Sequence, residues 1–243
     1  MATSTYSSPV GEVFGESTAL ATTLAFGDIL ATRLGFKGVQ IWSDDIVGFL
    51  TTPRIASVQL FDASTGLYHT RTTAAIDNNT ATEVSLGTMT TSDILYVGCV
   101  DRFLGLSIGI GATVNAVTAT LDVEYWNGDW TDVGSDSDGT NSGSATLAQD
   151  GLYTWTLPTD WKSASVGNDV NSWFYIRFSP SATLTAKTGI DTLISINKAA
   201  DYIRWQATAP QDFNYDEDKV GGLQFLAVAG TPTVYVNHIE YKG

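Results

Sequence analysis

Hydrophobic and polar residues alternate along most of the chain. In residues 103–111, FLGLSIGIG, leucine and isoleucine occupy one face of an extended segment, while glycine and serine occupy the other. In residues 172–178, SWFYIRF, phenylalanine and isoleucine alternate with Trp173, Tyr175 and Arg177, so both faces are expected to be partly covered. Because these runs are short and separated by turn-forming residues, the pattern predicts an all-β protein built as an antiparallel β-sandwich or jelly roll.

The first fifty residues lack this alternation. Small residues and leucines mix without a clean period in residues 17–36. A helix over residues 22–34 remains an alternative, although Gly27 weakens it. The preferred interpretation is an extended N-terminal arm or peripheral segment over residues 1–50, packed on this subunit or a neighbour, followed by a β-sandwich domain over residues 51–243.

An Asn-Gly pair lies at the centre of the segment EYWNGDW. Asn127 and Gly128 suit the two positive-φ positions of a type I′ turn, which predicts a hairpin with a two-residue loop. Tyr125 would then lie opposite Trp130 and face the core, while Trp126 would point outward among acidic side chains. This register leaves Trp126 as the ring of the hairpin that could stack on a ligand.

Composition and charge exclude several classes of function. The 243 residues include 26 acidic and 12 basic side chains, for a formal net charge of −14, and lysine and arginine are not clustered as in a phosphate-binding surface. Nucleic acid and membrane are therefore not expected partners, and no apolar run is typical of a transmembrane helix. Cys99 is the only cysteine, so neither an intrachain disulfide nor a thiolate zinc site can form. The N-terminus does not resemble a secretory signal, which predicts synthesis in a cytoplasm.

Candidate catalytic residues are few, and each has a structural explanation. Glu124 with Asp122 or Asp129 could supply the carboxylate pair of a glycoside hydrolase. These acids are predicted on a polar face, where burial would not raise the pKa of one of them as that chemistry requires. His69 and His238 have no recognisable serine or cysteine nucleophile beside them, so both are interpreted as structural.

The polar segment DSDGTN, residues 136–141, has part of the pattern of a calcium-binding loop. It lacks the third ligand before the glycine and the glutamate at the twelfth position that an EF-hand uses. The segment is therefore interpreted as a solvated loop, and no metal or cofactor is expected.

Several strand-and-turn stretches together resemble a β-sandwich module that recurs in structural proteins of tailed bacteriophages. In chain order they are DILYVG, FLGLSIGI, ATLDVEYWNGDW, SDGT, TLAQDGLYTWTLPTDW and SWFYIRFSPSATLTA. The resemblance covers residues 93–196 and implies a virion component that is not an enzyme. Flanking strands on both sides are similar to those of such proteins, but more loosely.

The resemblance and the acidic composition favour a capsid decoration, or cement, protein. Such a protein would bind the major capsid protein, copies of itself, or both, on the outer shell of the virion, with a homotrimer as the expected assembly. An acidic surface suits the outside of a capsid better than its DNA-facing interior. The first forty to fifty residues would reach across to neighbouring subunits.

The alternative hypothesis is a carbohydrate-binding module for host attachment, at a tail, at a baseplate or on the head surface. Outward aromatic side chains would then stack on a glycan, and the candidates are Trp126, Trp161 and Trp173. No ligand-binding residue follows from the bacteriophage resemblance itself.

Overall fold

Almost all regular structure in the computed structural model is β-strand. The structure describes residues 15–19, 29–31, 38–77, 80–197, 203–205, 211–214, 219–228 and 230–239. Within them the strands, numbered in chain order, are β1 (Gly15–Ala19), β2 (Ile29–Ala31), β3 (Gly38–Ser43), β4 (Val47–Pro53), β5 (Ile55–Asp62), β6 (Leu67–Thr70), β7 (Val84–Ser85), β8 (Ile94–Cys99), β9 (Gly105–Ile110), β10 (Leu121–Trp126), β11 (Trp130–Asp132), β12 (Asp136–Asp138), β13 (Gly151–Trp155), β14 (Ser163–Ala164), β15 (Trp173–Pro180), β16 (Gly189–Ile196), β17 (Ile203–Trp205), β18 (Gln211–Asn214), β19 (Val220–Ala227) and β20 (Thr233–Ile239). A short helix, α1 (Thr72–Ile76), and a 3₁₀ turn (Thr80–Thr82) follow β6. Across these described ranges, no helix has the length and apolar character needed to span a membrane.

Two antiparallel sheets form the larger of two sandwiches. Sheet I has the strand order β11-β10-β15-β8-β5-β6, with β14 paired to β15, and sheet II has the order β12-β13-β9-β16-β7. Their facing side chains share one hydrophobic core, which includes Val97, Ile176 and Phe178 from sheet I and Leu106 and Leu193 from sheet II. The prediction of an all-β, antiparallel, sandwich-like fold is confirmed, and the more specific jelly roll stays a prediction.

The alternation in β15 determines which of its side chains enter this core. Phe174, Ile176 and Phe178 pack against the core of the large sandwich. Arg177 pairs with Tyr96 of β8 and lies on the opposite face of sheet I. The faces predicted for this segment are therefore confirmed.

Close strand packing in sheet II depends on glycine. A Cβ atom added at Gly105 of β9 would lie only 2.3 Å from the carbonyl oxygen of Tyr153 in the neighbouring strand β13. A glycine inside a strand often marks a position where a neighbouring backbone approaches closely, and Gly105 is such a position.

The two ends of the chain build a second, smaller sandwich, here called the terminal sandwich. Sheet III has the order β1-β20-β3-β18, and sheet IV has the order β17-β4-β19-β2. Their shared core includes Val39 and Val236 from sheet III and Phe49 and Phe225 from sheet IV. The large sandwich is therefore an insertion between β4 and β17 of the terminal sandwich.

This pairing corrects the predicted division of the chain at residue 50. Residues 38–50 are not an extended arm, because β3 pairs with β18 and β20, and β4 pairs with β17 and β19. The alternative helix over residues 22–34 is contradicted at Ile29–Ala31, which pairs with β19 as strand β2. The rest of that range, like residues 1–14, lies outside the described residues.

The two sandwiches meet where β16 ends. The backbone N–H of Asn197 donates to Oε1 of Gln224 at 3.0 Å, and Nδ2 of Asn197 donates to the carbonyl oxygen of Thr51 at 3.3 Å. The hydroxyl of Ser195 donates to the carbonyl oxygen of Pro53. Since Gln224 is fully buried, these hydrogen bonds also satisfy polar groups that the junction removes from water.

Candidate ligand-binding face

The hairpin of β10 and β11 has a three-residue loop instead of the predicted two-residue loop. Trp126 pairs with Trp130, where the sequence predicted Tyr125 opposite Trp130. Gly128 has a φ of 124°, but Asn127 does not have the positive φ that a type I′ turn requires. Because successive side chains of a strand point to opposite faces, this difference of one residue moves Trp130 from the core face to the outer face of sheet I.

A hydrogen-bonded network around Asn127 stabilises the three-residue loop. Oδ1 of Asn127 accepts a hydrogen bond from the backbone of Asp129 at 3.2 Å, and its Nδ2 donates to Asp160 at 3.1 Å. The hydroxyl of Tyr125 donates to the other carboxylate oxygen of Asp160 at 2.9 Å. This bond raises the pKa of Tyr125 and lowers the pKa of Asp160. A residue 33 positions along the chain thus helps to fix the hairpin loop.

Five aromatic side chains form a continuous row across the outer face of sheet I. This outer aromatic row consists of Trp126, Trp130, Tyr96, Tyr68 and Phe61. In that order, the distances between neighbouring ring centroids are 5.3, 5.5, 5.9 and 4.9 Å. Tyr96 is buried in the middle, and the other four side chains are partly exposed. Tyr96 thus connects rings from strands at both edges of sheet I into one row.

An ion pair lies within the row. Nε of Arg177 donates to Oε2 of Glu124 at 2.6 Å, and the guanidinium carbon is 4.8 Å from the centroid of the Trp130 ring. Burial alone would lower the pKa of Arg177, but the hydrogen bond and the negative charge of Glu124 outweigh it and raise that pKa. Arg177 therefore stays charged and packs against the Trp130 ring.

Acidic side chains border the Trp126 end of the row. Asp122 and Glu124 share its face of β10, and Asp132 pairs with Glu124 from β11. Burial, and then the negative charges of Glu124 and Asp132, raise the pKa of Asp122. The local potential is negative, so this face favours uncharged or cationic groups over anions.

The segment after β14 covers part of the same face. Nε2 of Gln59 donates to the carbonyl oxygen of Val166 at 2.9 Å, and Oε1 of Gln59 accepts from the backbone of Asn168 at 2.9 Å. Tyr175 is fully buried and donates its hydroxyl to Asp169. Burial, reinforced by that hydrogen bond, raises the pKa of Tyr175. The partial cover predicted for both faces of β15 is therefore confirmed.

The three aromatic residues predicted as ligand contacts do not share one surface. Trp126 lies on the outer face of sheet I and is partly exposed, and Trp173 lies on the same face. The interpretation of Trp161 as an outward side chain is wrong, because it is 5% exposed and belongs to the core of the large sandwich. Its Nε1 donates to the carbonyl oxygen of Tyr175 at 3.1 Å, and its ring centroid is 5.1 Å from that of Phe103.

The sequence did not identify the other four members of the outer aromatic row. Trp130 was assigned to the core because the loop length was wrong by one residue. Phe61 and Tyr68 flank the turn between β5 and β6 and pair across it. A predicted hairpin at this turn would therefore have placed the two rings side by side on one face. Tyr96 meets them only because β8 lies beside β5, which local patterns do not reveal.

The structure separates the histidines and buries the thiol. His69 pairs with Leu60 in the large sandwich, whereas His238 pairs with Val39 in the terminal sandwich. Cys99 is fully buried, and burial raises the pKa of its thiol well above the usual value. The two histidines therefore lie on strands of different sandwiches, and the Cys99 thiol is shielded from solvent.

The acids considered for glycoside hydrolysis do not form a dedicated pair. Glu124 is bound to Arg177, while Asp122 and Asp129 are exposed. The pKa of Asp122 is raised, as an acid catalyst would need, but its side chain lies open to solvent on the outer face. The arrangement fits an acidic border better than an acid and nucleophile facing one bond.

The acidic segment at residues 136–141 begins with strand β12 and continues as a turn. Oδ1 of Asp138 accepts hydrogen bonds from the backbone and hydroxyl of Thr140, at 2.8 and 2.6 Å. Oδ2 of Asp136 accepts from the hydroxyl of Tyr153 at 2.5 Å. Within the described part of the chain, no group of three or more histidine, cysteine or acidic side chains is placed to hold a metal ion.

Comparison with known proteins gives no match among family models, curated protein sequences or solved structures. Function is therefore inferred from the residues and their geometry.

Proposed function

We propose that the protein is a non-enzymatic structural component of a tailed-bacteriophage virion, and that it is a decoration protein on the outer capsid shell. The observation that carries this proposal is the stretch 93–196, which resembles virion β-sandwich modules and supplies strands β8 to β16 of the large sandwich. Its partners are the major capsid protein and further copies of the chain, assembled as a homotrimer. The proposal includes no cofactor.

Several charged groups of the large sandwich support a structural role, because they hold strands and turns together. Glu124 and Arg177 join β10 to β15. Asp136 accepts the hydroxyl of Tyr153 and so joins β12 to β13. Asp160 ties the segment after β13 to the hairpin loop. Because these side chains are engaged in hydrogen bonds between strands and turns, they favour a rigid structural module over an enzyme whose side chains change protonation during a reaction.

Net charge supports a position on the outside of the shell. A formal charge of −14 opposes contact with packaged DNA, which is itself densely negative. An acidic protein on the outer surface would instead keep particles apart in solution.

The terminal sandwich offers a surface for attachment to the shell. Ile46 and Val228 are each 38% exposed, and they directly adjoin the paired residues Val47 and Ala227 of sheet IV. Both residues therefore adjoin the same end of that sheet. Neighbouring apolar side chains on a surface are typical of a site that a partner covers. Binding to the assembled lattice alone would stabilise the shell by mass action.

Particle stability tests this proposal directly. Particles that lack the protein should release their DNA at a lower temperature than complete particles. When the salt concentration is lowered, they should also release it at a higher salt concentration than complete particles. Added full-length protein should restore resistance to both treatments. Ile46→Asp and Val228→Asp should restore less because they place a charge in the contact. Val114→Asp is the matched control, since Val114 is 45% exposed in the large sandwich and should restore resistance fully.

The position of the protein in the virion separates the candidate roles. Many copies distributed over the head, seen by immunogold labelling and counted by quantitative mass spectrometry, would support decoration. Labelling confined to the tail would reject it in favour of a tail or baseplate subunit. Particles lacking the protein that resist heat and low salt as well as complete ones would reject cementing.

A further inference from the structure

We propose that the outer aromatic row is a binding site for an uncharged oligosaccharide. This proposal goes beyond attachment to a shell, because the isolated chain would bind the sugar whether or not it is part of a particle. The site is defined by five side chains from five strands of sheet I, with the Arg177–Glu124 ion pair inside the row.

The rings provide the apolar part of the site. The flat face of an aromatic ring carries a partial negative charge, and the C–H groups on one side of a sugar ring carry a partial positive charge, so the two surfaces attract as they exclude water. Trp126 and Trp130 form one partly exposed pair, and Tyr68 and Phe61 form another. Tyr96 lies buried between the two pairs and supports them.

The length of the row indicates a chain of sugars instead of a single unit. The strands that carry the rings include β11 at one edge of sheet I and β6 at the other edge. The distances between neighbouring centroids limit the row, from Trp126 to Phe61, to a length of about 22 Å at most. Several consecutive sugar rings can contact a surface of that length.

The polar part of the site comes from groups beside the rings. Arg177 presents hydrogen-bond donors and Glu124 presents acceptors, and sugar hydroxyls can use both. Their mutual bond at 2.6 Å and the contact of Arg177 with the Trp130 ring hold the two groups in position before a ligand arrives. A preformed site of this kind loses little conformational entropy on binding.

Local charge decides which class of sugar fits. Asp122, Glu124 and Asp132 lie together at one end of the row, and the charges of the other two help to raise the pKa of Asp122. An anionic glycan would approach like charges there, so sialylated and sulfated sugars are disfavoured. The surface therefore favours uncharged glycans over anionic ones.

The experiment uses the purified full-length chain. A glycan array that carries linear glucans, mannans and galactans beside sialylated and sulfated glycans identifies a probe, and isothermal titration calorimetry then measures its affinity. Trp126→Ala and Tyr68→Ala remove one ring from each exposed pair and should each weaken binding about tenfold, as expected from the loss of one stacked ring. Trp173→Ala is the matched control, because it removes an aromatic side chain from the same sheet face but outside the row, and affinity should not change.

Folding of each variant is checked by circular dichroism and thermal unfolding. If Trp126→Ala does not fold, oxidation of the wild-type protein by N-bromosuccinimide, followed by peptide mass spectrometry, gives an independent test, because a bound glucan or mannan should protect Trp126 and not Trp173. The proposal would be overturned if the array showed no binding to any uncharged glycan or a preference for anionic glycans. It would also be overturned if Trp126→Ala bound the glycan with the same affinity as the wild type. Self-association of the chain that Trp126→Ala abolishes would overturn it as well, since the row would then be an interface between copies.

Discussion

Replacing Trp161 by alanine should strongly destabilise the large sandwich. The indole is 5% exposed and contacts the rings of Phe103, Tyr125 and Phe174, with centroid distances of 5.1, 6.0 and 6.3 Å. It also donates to the carbonyl oxygen of Tyr175 at 3.1 Å. The substitution removes these contacts together and leaves a cavity and an unpaired acceptor.

We expect Trp161→Ala to lower the free energy of unfolding by about 4 to 6 kcal/mol. Large aromatic residues replaced by alanine in a core typically cost about 3 to 5 kcal/mol. The carbonyl oxygen of Tyr175, left without the indole donor, adds about 1 to 3 kcal/mol. Part of this cost is already included in the typical cost of about 3 to 5 kcal/mol for an aromatic residue replaced by alanine. Burial of up to about 250 Å² of indole surface, at about 25 cal/mol per Å², sets an upper estimate near 6 kcal/mol. That loss is comparable to the whole stability of many domains.

Urea unfolding measures this effect, with far-UV circular dichroism and tryptophan fluorescence as two probes. Two probes are needed because the two sandwiches must be shown to unfold in a single transition before free energies are compared. Trp161→Phe keeps a ring in the core and loses the N–H donor, so it should cost less than Trp161→Ala. Trp126→Ala is the control for loss of an indole from the outer face and should cost less than about 1 kcal/mol. A Trp161→Ala protein within about 1 kcal/mol of wild type would refute the core position of this residue.

Four further outcomes follow from the geometry. Gly105→Ala should lower stability by about 1 to 3 kcal/mol in urea unfolding, because its methyl group would overlap the Tyr153 carbonyl oxygen, and unchanged stability would contradict the pairing of β9 with β13. Cys99 should react with a thiol reagent only when the protein is denatured, and rapid reaction of the native protein would contradict its burial. Glu124→Gln should change stability by less than about 1 kcal/mol, with a smaller difference in high salt, since the ion pair is partly exposed. Folding raises the pKa of the Asp122 carboxyl above its ordinary value of 3.8. Between these two pKa values the folded state binds more protons than the unfolded state, so the free energy of unfolding falls as pH rises through the folded pKa. The ionised carboxyl of Asp122 therefore destabilises the folded state. Asp122→Asn should therefore stabilise the protein by less than about 1 kcal/mol at pH 7, and the gain should disappear below the ordinary pKa; a gain that grows in acid would contradict this sign.

Strand faces could be predicted where a run of alternating residues was long enough. The segment SWFYIRF gave the correct core face for Phe174, Ile176 and Phe178, because a strand has a fixed period of two. All-β architecture followed from many such runs. Trp161 offered no comparable pattern, since it lies in the polar segment TDWKS after β13 and not in an alternating strand, and its burial depends on rings that arrive from elsewhere in the chain.

Strand partners could not be predicted, because they are distant along the chain. Residues 38–50 looked peripheral since their partners, β17 to β20, lie beyond the whole inserted sandwich. Local patterns describe which face of a strand is apolar, but they do not describe which strand lies beside it. The division at residue 50 failed for this reason.

The outer aromatic row depends on the same kind of distant contact at the hairpin loop. With a two-residue Asn-Gly loop, Trp130 would face the core, and Trp126 would be the only tryptophan of the hairpin on the outer face. Asn127 instead bonds to Asp129 and Asp160, and the resulting three-residue loop places both tryptophans on one face. Trp130 then packs against Arg177 and contacts Tyr96. Through Tyr96 it is connected to the rings carried by β5 and β6 on the other side of sheet I. One loop residue thus determines whether the outer face of this sandwich has an isolated ring or a continuous surface that a ligand can cover.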